Sequence, residues 1–260
     1  VQFTELLNNC QPKDGAVSLT VPPTWMQGRS VFGGLQTVIA LSAMRGLVPE
    51  VPLRSLQTTF IQPGDDNTLT AKATILRSGK SAIHVESRLM NGNKIVAIVI
   101  GVFGSARDSV VRLAPEKPPV PSDNSKQVPY VEGLTPSFLQ HFEGRWVKGG
   151  FPFSGAAEPE NVIELSMPTE PSSTEFHIIA LADYVPPIAL SYMKRFAAGS
   201  SMTWMLEFLT DKVDGLPMQG WRVDSTMLAA ADGYTSQSVT LWGPDDQPVA
   251  FSKQSMVVFG

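Results

Sequence analysis

Cysteine, histidine and basic charge are all scarce in this chain of 260 residues, and each scarcity removes a class of function. The single cysteine, Cys10, rules out an internal disulfide framework and any Cys-built zinc site, and it fits a reducing compartment such as the cytosol. Lys and Arg number 20 against 24 Asp and Glu, a formal net charge of -4, so the chain lacks the basic face that a nucleic-acid partner requires. The three histidines, His84, His141 and His177, show no metal-ligand spacing with one another or with an acid pair, and no metal is expected. No apolar run approaches the length of a membrane span, and the opening VQFTELLNN has neither the basic nor the apolar region of a secretory signal. The expectation is a soluble, cytoplasmic protein. Two nucleophile or phosphate motifs are also missing. Ser154 in FPFSGA and Ser201 in GSSMT do not form G-x-S-x-G. Gly79-Lys80-Ser81 ends like a P-loop but has Thr74 where the first glycine should stand.

What the chain does have is 43% hydrophobic residues, enough for one large core or for two domains of about 130 residues each. Val17 to Pro22 alternates as a half-buried strand, and Val31-Phe32-Gly33-Gly34 leads into a helical pattern over Leu35 to Leu47. Strands follow at Arg54 to Gln62, Leu69 to Leu76, Ser81 to Met90 and Lys94 to Phe103, with Asn91-Gly92-Asn93 marking a hairpin. Leu113 to Gly133 is rich in proline and polar residues without periodicity and reads as a linker. Beyond it, Phe138 to Trp146 and Asn161 to Met167 read as extended. Ser172 to Tyr192 reads as an apolar helix candidate, with a break where Pro186 and Pro187 stand. Four further strands run over Ser200 to Leu209, Gln219 to Leu228, Gly233 to Trp242 and Val249 to Phe259.

The order of elements therefore repeats. Ile39-Ala40-Leu41 recurs as Ile179-Ala180-Leu181, which aligns Ala43 with Asp183. Val96-Ala97 recurs as Val249-Ala250, which sets Gly101 opposite Gln254. The endings Val102-Phe103-Gly104 and Val258-Phe259-Gly260 fall three residues out of step with that second match, so the strand register stays open. The asymmetry is informative. Asp183 sits in a greasy run, where a carboxylate must be paired, turned to the surface or kept for chemistry. The other copy manages without it.

A helix wrapped by an antiparallel sheet, VFGG opening the first helix, FIQPGD at Phe60 to Asp65, and a tandem second copy together resemble the double hotdog fold of acyl-CoA thioesterases. Within that group the chain resembles the bacterial acyl-CoA thioesterase II (TesB-like) family. The resemblance implies an α+β double hotdog of two tandem units, each a long helix wrapped by an antiparallel sheet, with an N-terminal hotdog over residues 1–112, a linker over 113–134 and a C-terminal hotdog over 135–260. It implies hydrolysis of an acyl-CoA thioester by a water held between three side chains, with neither metal nor bound cofactor. The Asp of that set matches Asp183 in LADYVPPIAL, and the Gln matches Gln254 in PVAFSKQSM. The hydroxyl falls on Ser201 or on Thr203 in SMTWMLEFL, with Ser replacing the family's Thr in the first case. By the same analogy Gly33 and Gly34 are candidates for the backbone donors of an oxyanion hole, since free N–H groups at a helix start suit that role. The expected partner is an acyl-CoA substrate, and a pairing of two chains fits the fold. Two other readings stand beside this one. A hydratase on the same fold would need an Asp-x-Asn-x-x-His pattern that is absent, and a non-catalytic acyl-CoA or lipid-binding module would use the same polar residues only to line a pocket.

Overall fold

After a short helix, α1 (Phe3–Asn9), and a strand, β1 (Ala16–Thr20), the chain makes the small hairpin β2 (Met26–Gln27) and β3 (Ser30–Val31) and enters helix α2 (Gly33–Arg45). The structure is a computed structural model and describes residues 1–64, 66–120 and 125–259. Asp65 of the FIQPGD run, residues 121–124 of the expected linker and Gly260 of the second VFG ending lie outside these. Every residue of α2 from Gly34 to Met44 is buried. A helix that is enclosed on all sides must satisfy its polar side chains internally. Gln36 Nε2 donates to the carbonyl of Val31 at 2.6 Å, Thr37 and Thr58 share a hydroxyl hydrogen bond at 3.2 Å, and Ser42 donates to the carbonyl of Val38 at 2.9 Å.

Four strands follow: β4 (Leu53–Phe60), β5 (Thr68–Ser78), β6 (Ile83–Asn91) and β7 (Lys94–Phe103). With β1 they form antiparallel neighbours in the order β1, β5, β6, β7, β4. The expected hairpin forms with Asn91 paired to Lys94 and Gly92 at φ 56°, the first central position of a type II′ turn. Glycine is needed there because a side chain resists positive φ.

The second half repeats the plan. Strands β8 (Lys126–Val128), β9 (Glu143–Lys148) and β10 (Glu160–Ser166) precede helix α3 (Glu175–Ala182), which is followed by β11 (Ala198–Phe208), β12 (Trp221–Ala231), β13 (Tyr234–Trp242) and β14 (Pro248–Phe259). Their antiparallel order is β11, β14, β13, β12, β10, β9, β8. Asp232 and Gly233 both have positive φ, as a type I′ turn between β12 and β13 requires. Each half is thus a helix against an antiparallel sheet, the α+β double hotdog arrangement.

The boundary between the halves is drawn differently from the expected 1–112, 113–134 and 135–260. One compact unit comprises Val1–Ala114 with Tyr130–His141, and the other Pro115–Pro129 with Phe142–Gly260. The proline-rich stretch is therefore no free linker. Lys126–Val128 adds to the edge of β9, and Lys117 Nζ donates to Asp246 Oδ1 at 2.6 Å, holding that carboxyl below its ordinary range. Nor is Phe138 to Trp146 one strand. Pro136 favours a helical turn, and Ser137–His141 forms a 3-10 turn that places Phe138 on Phe32 and His141 flat on Trp25, with ring centroids 4.1 and 4.0 Å apart. Strand character begins only at Glu143.

Because α2 is fully enclosed, Leu41→Ala is expected to lower the unfolding free energy by about 2–5 kcal/mol. Leu228→Ala, at a side chain that is 54% exposed, is expected to change it by less than about 0.5 kcal/mol. Equilibrium denaturation of both variants checks the contrast, and equal losses would contradict the assigned cores.

Candidate active site

A pair of prolines decides where Asp183 ends up. Pro186 has no N–H to give the carbonyl of Ala182, and its ring would clash with that carbonyl if the helix continued. Helix α3 accordingly stops at Ala182, much shorter than the Ser172 to Tyr192 run that the apolar pattern marks out, and a separate 3-10 turn occupies Ile188–Tyr192. Asp183 becomes the C-cap, with φ -94° and ψ 1°, in the sparsely allowed bridge region where many active-site residues sit. Its backbone N–H still reaches the carbonyl of Ile179 at 3.2 Å, so its side chain leaves the helix from a fixed base.

The carboxylate meets Gln254. Gln254 Nε2 donates to Asp183 Oδ1 at 2.6 Å, joining the end of α3 to the middle of β14 across 71 residues of sequence. Gln254 is 2% exposed and Asp183 half-buried. An anion at the carbonyl end of a helix faces the negative end of the dipole, so a donor at short range offsets an otherwise unfavourable placement.

The other end of α3 is held by His177. The Thr174 N–H donates to His177 Nδ1 at 3.1 Å, which puts the ring proton on Nε2, facing Glu170 Oε2 at 3.3 Å. This histidine is buried in a capping box, so its place in the structure is to start the helix that Asp183 ends. His84 lies on β6 and His141 in the stack on Trp25. Among the described residues no group of three or more His, Cys, Asp or Glu side chains is arranged to hold a metal ion.

The hydroxyl question turns on a bulge. Ser201 and Thr203 are two apart and would share a face in a regular strand, but the pairing of β11 with β14 shifts between them. Trp204 lies opposite Gln254, Thr203 opposite Ser255, and Ser201 opposite Met256. Directly opposed residues share a face of the sheet, and so do residues two apart, so Ser201 belongs to the face of Gln254 and Met256 while Thr203 belongs to the other. Burial agrees: Thr203 is exposed with Met205 and Glu207, and Ser201 is half-buried. Thr203 is therefore not brought to Asp183 and Gln254.

Gly33 and Gly34 begin α2 in the first unit, where the first-turn N–H groups of a helix have no partner within the helix. In the register set by the Val-Ala match, the position of that unit opposite Gln254 is Gly101. A Cβ added there would come within 2.7 Å of Met44 Sδ, so the last turn of α2 fills the room that a glutamine needs. Ala43, the counterpart of Asp183, is fully buried and apolar. One residue of the second unit had no sequence argument in its favour: Gln237, on β13, is opposite Gln254 and 1% exposed. The available signal was a lone amide at an inward position of YTSQSVTLW, legible only once the strand register is known.

Residues 21–104 match the model of the acyl-CoA thioesterase N-terminal domain, and residues 114–258 match that of the acyl-CoA thioesterase C-terminal domain. The sequence matches none of the curated proteins compared with it. Among solved structures, a hot dog fold protein of unknown function from Alicyclobacillus acidocaldarius superposes with TM-score 0.82 at 19% identity, over 94% of this chain and 93% of that one. The tesB protein of Mycobacterium avium subs paratuberculosis superposes with TM-score 0.77 at 16% identity over 100% of both chains. An acyl-CoA thioesterase II, TesB2, from Mycobacterium marinum gives TM-score 0.68 at 14% identity over 96% of this chain and 94% of that one. At such identities the superpositions speak for the fold, whereas the two domain models together span most of the sequence. A chain that matches both domain models in tandem, on this fold, belongs to the TesB-like acyl-CoA thioesterase family of thioester hydrolases.

Proposed function

We propose that this protein hydrolyses an acyl-CoA thioester to the free acid and CoA, using a water that Asp183 activates with the help of Gln254 and Ser201. The observation that carries the reading is the 2.6 Å hydrogen bond from Gln254 Nε2 to Asp183 Oδ1, which fixes a carboxylate at the C-terminal end of a helix. Asp183 takes a proton from the water as its oxygen bonds to the thioester carbon. The tetrahedral intermediate then expels the thiolate by breaking the C–S bond, and the proton taken up by Asp183 passes to the sulfur. Atoms balance without any further reactant. A positioned base of this kind contributes about a hundred- to ten-thousand-fold to the rate.

Gln254 does not titrate in the working range, so its contribution is orientation: one end holds the carboxylate and the other offers an acceptor. Ser201, on the same face of the sheet, supplies a hydroxyl that both donates and accepts, and it takes the place of the family's Thr. The oxyanion calls for donors set in advance, a role for which the family resemblance alone names the N–H groups of Gly33 and Gly34. Acyl-CoA is the proposed substrate.

Asp183→Asn preserves shape and removes the base. It is expected to lower kcat by at least about a hundred-fold with an unchanged unfolding transition, as followed by release of free thiol. Normal turnover would end the proposal. Acyl-CoA binding by the wild-type protein without thiol release would favour the non-catalytic alternative. Ser201→Ala is expected to lower kcat by about two- to ten-fold, the equivalent of one hydrogen bond, while Thr203→Ala leaves it unchanged. The reverse ranking would show that the bulge between them has been assigned to the wrong side.

A further inference from the structure

Across β13, β14 and β11 the residues Gln237, Gln254 and Trp204 stand in one row, each opposite the next and all on the inward face. The middle one holds Asp183. Among the described residues, Gln237 Nε2 and Trp204 Nε1 have no hydrogen-bond partner although both are buried. Leaving a buried donor unsatisfied costs about 1–3 kcal/mol, and native chains rarely tolerate it without a use for the group. Here two such donors flank the same glutamine.

The orientation of Gln237 is not ambiguous. The Ile188 N–H donates to its Oε1 at 3.0 Å, so the acceptor end faces the 3-10 turn and the amide nitrogen must face away from it. Ile188 lies five residues after Asp183, just beyond Pro186 and Pro187, so this bond ties the segment leaving Asp183 to the strand beside Gln254. Side chains directly opposed on neighbouring antiparallel strands stand about 4.5–5.5 Å apart at Cβ, which places the free amide within reach of whatever Gln254 reaches.

The first unit supplies a control. There Gly101 is opposite Val85 on β6 and Leu56 on β4, so the same row is Val85, Gly101 and Leu56, wholly apolar and buried. A hotdog sheet therefore has no structural need for an amide at this place. The glutamine occurs in the copy that has Asp183.

We propose that Gln237 is a further water-positioning residue of the hydrolytic site, its Oε1 anchoring the turn after Asp183 and its Nε2 donating to the oxygen of the attacking water. The water gives one proton to Asp183 and accepts from Gln237 through one lone pair, which leaves the second lone pair directed at the thioester carbon. The inference rests on the reading of Asp183 as the base.

Gln237→Met and Gln237→Glu, assayed beside Asp183→Asn with an acyl-CoA and thiol detection, test it. Gln237→Met is expected to lower kcat at least about ten-fold with KM within about three-fold, because about 1.4 kcal/mol of transition-state orientation is lost. A kcat within about two-fold of wild type overturns the proposal, whatever happens to stability. Gln237→Glu keeps the acceptor for Ile188, and its second oxygen donates only when protonated. Its kcat relative to wild type is therefore expected to rise as pH falls. A ratio flat with pH, high or low, overturns the proposal, since a purely structural glutamine would give that result. This second variant decides the matter if Gln237→Met fails to fold. Full activity of Asp183→Asn would instead remove the base on which both readings stand.

Discussion

A negative charge at the carbonyl end of a helix is unfavourable unless something donates to it, and here one strand amide does so. The bond between Gln254 and Asp183 ties the end of α3 to β14 within the second unit. The arrangement depends on features that are individually ordinary: a capping box of Thr174 and His177 that sets where α3 starts, two prolines that set where it ends, and a strand register that brings residue 254 to that level of the sheet. Together they leave Asp183 in a backbone conformation between helix and strand.

The duplication explains why the acid and the amide are confined to one copy. Both units place a helix against an antiparallel sheet, and both have a strand position that faces the last turn of that helix. In the first unit Met44 takes up the space and Gly101 yields it, with Val85 and Leu56 completing an apolar row. In the second, the same row is Gln237, Gln254 and Trp204. Apolar packing in one copy and an amide-rich wall in the other are two solutions for a shared scaffold. The first contributes stability through burial, and the second spends some of that burial on polar groups that a substrate or a water can satisfy.

Much of this was legible without coordinates because it is written in local physics. The alternation of β5 to β7, the turn glycine at 92 and the apolar stretch ahead of Pro186 each depend on residues a few positions apart. The pairing of Asp183 with Gln254 was implied by the family resemblance, and the repeat added that each stands opposite a small residue of the first copy. What escaped involved distant partners. The stretch around Lys126 has too few strand-forming residues to announce β8, which exists because β9 offers an open edge. Phe138 to Trp146 reads as extended, but its first residues lie in a 3-10 turn in which Phe138 and His141, three apart, stack on Phe32 and Trp25.

The amino-acid order by itself determined the repeated order of strand, helix and meander, because hydrophobic periodicity, proline and glycine act over short spans, and its resemblance to a known family named the double hotdog plan, the acid and the amide. Which hydroxyl shares their face was decided only in the folded chain. One extra residue between Ser201 and Thr203 reverses the alternation of β11, and such a bulge is defined by hydrogen bonds to β14 some 50 residues away. The place of Gln237 was decided in the same way, since an inward amide on β13 gains meaning only from the residue paired with it.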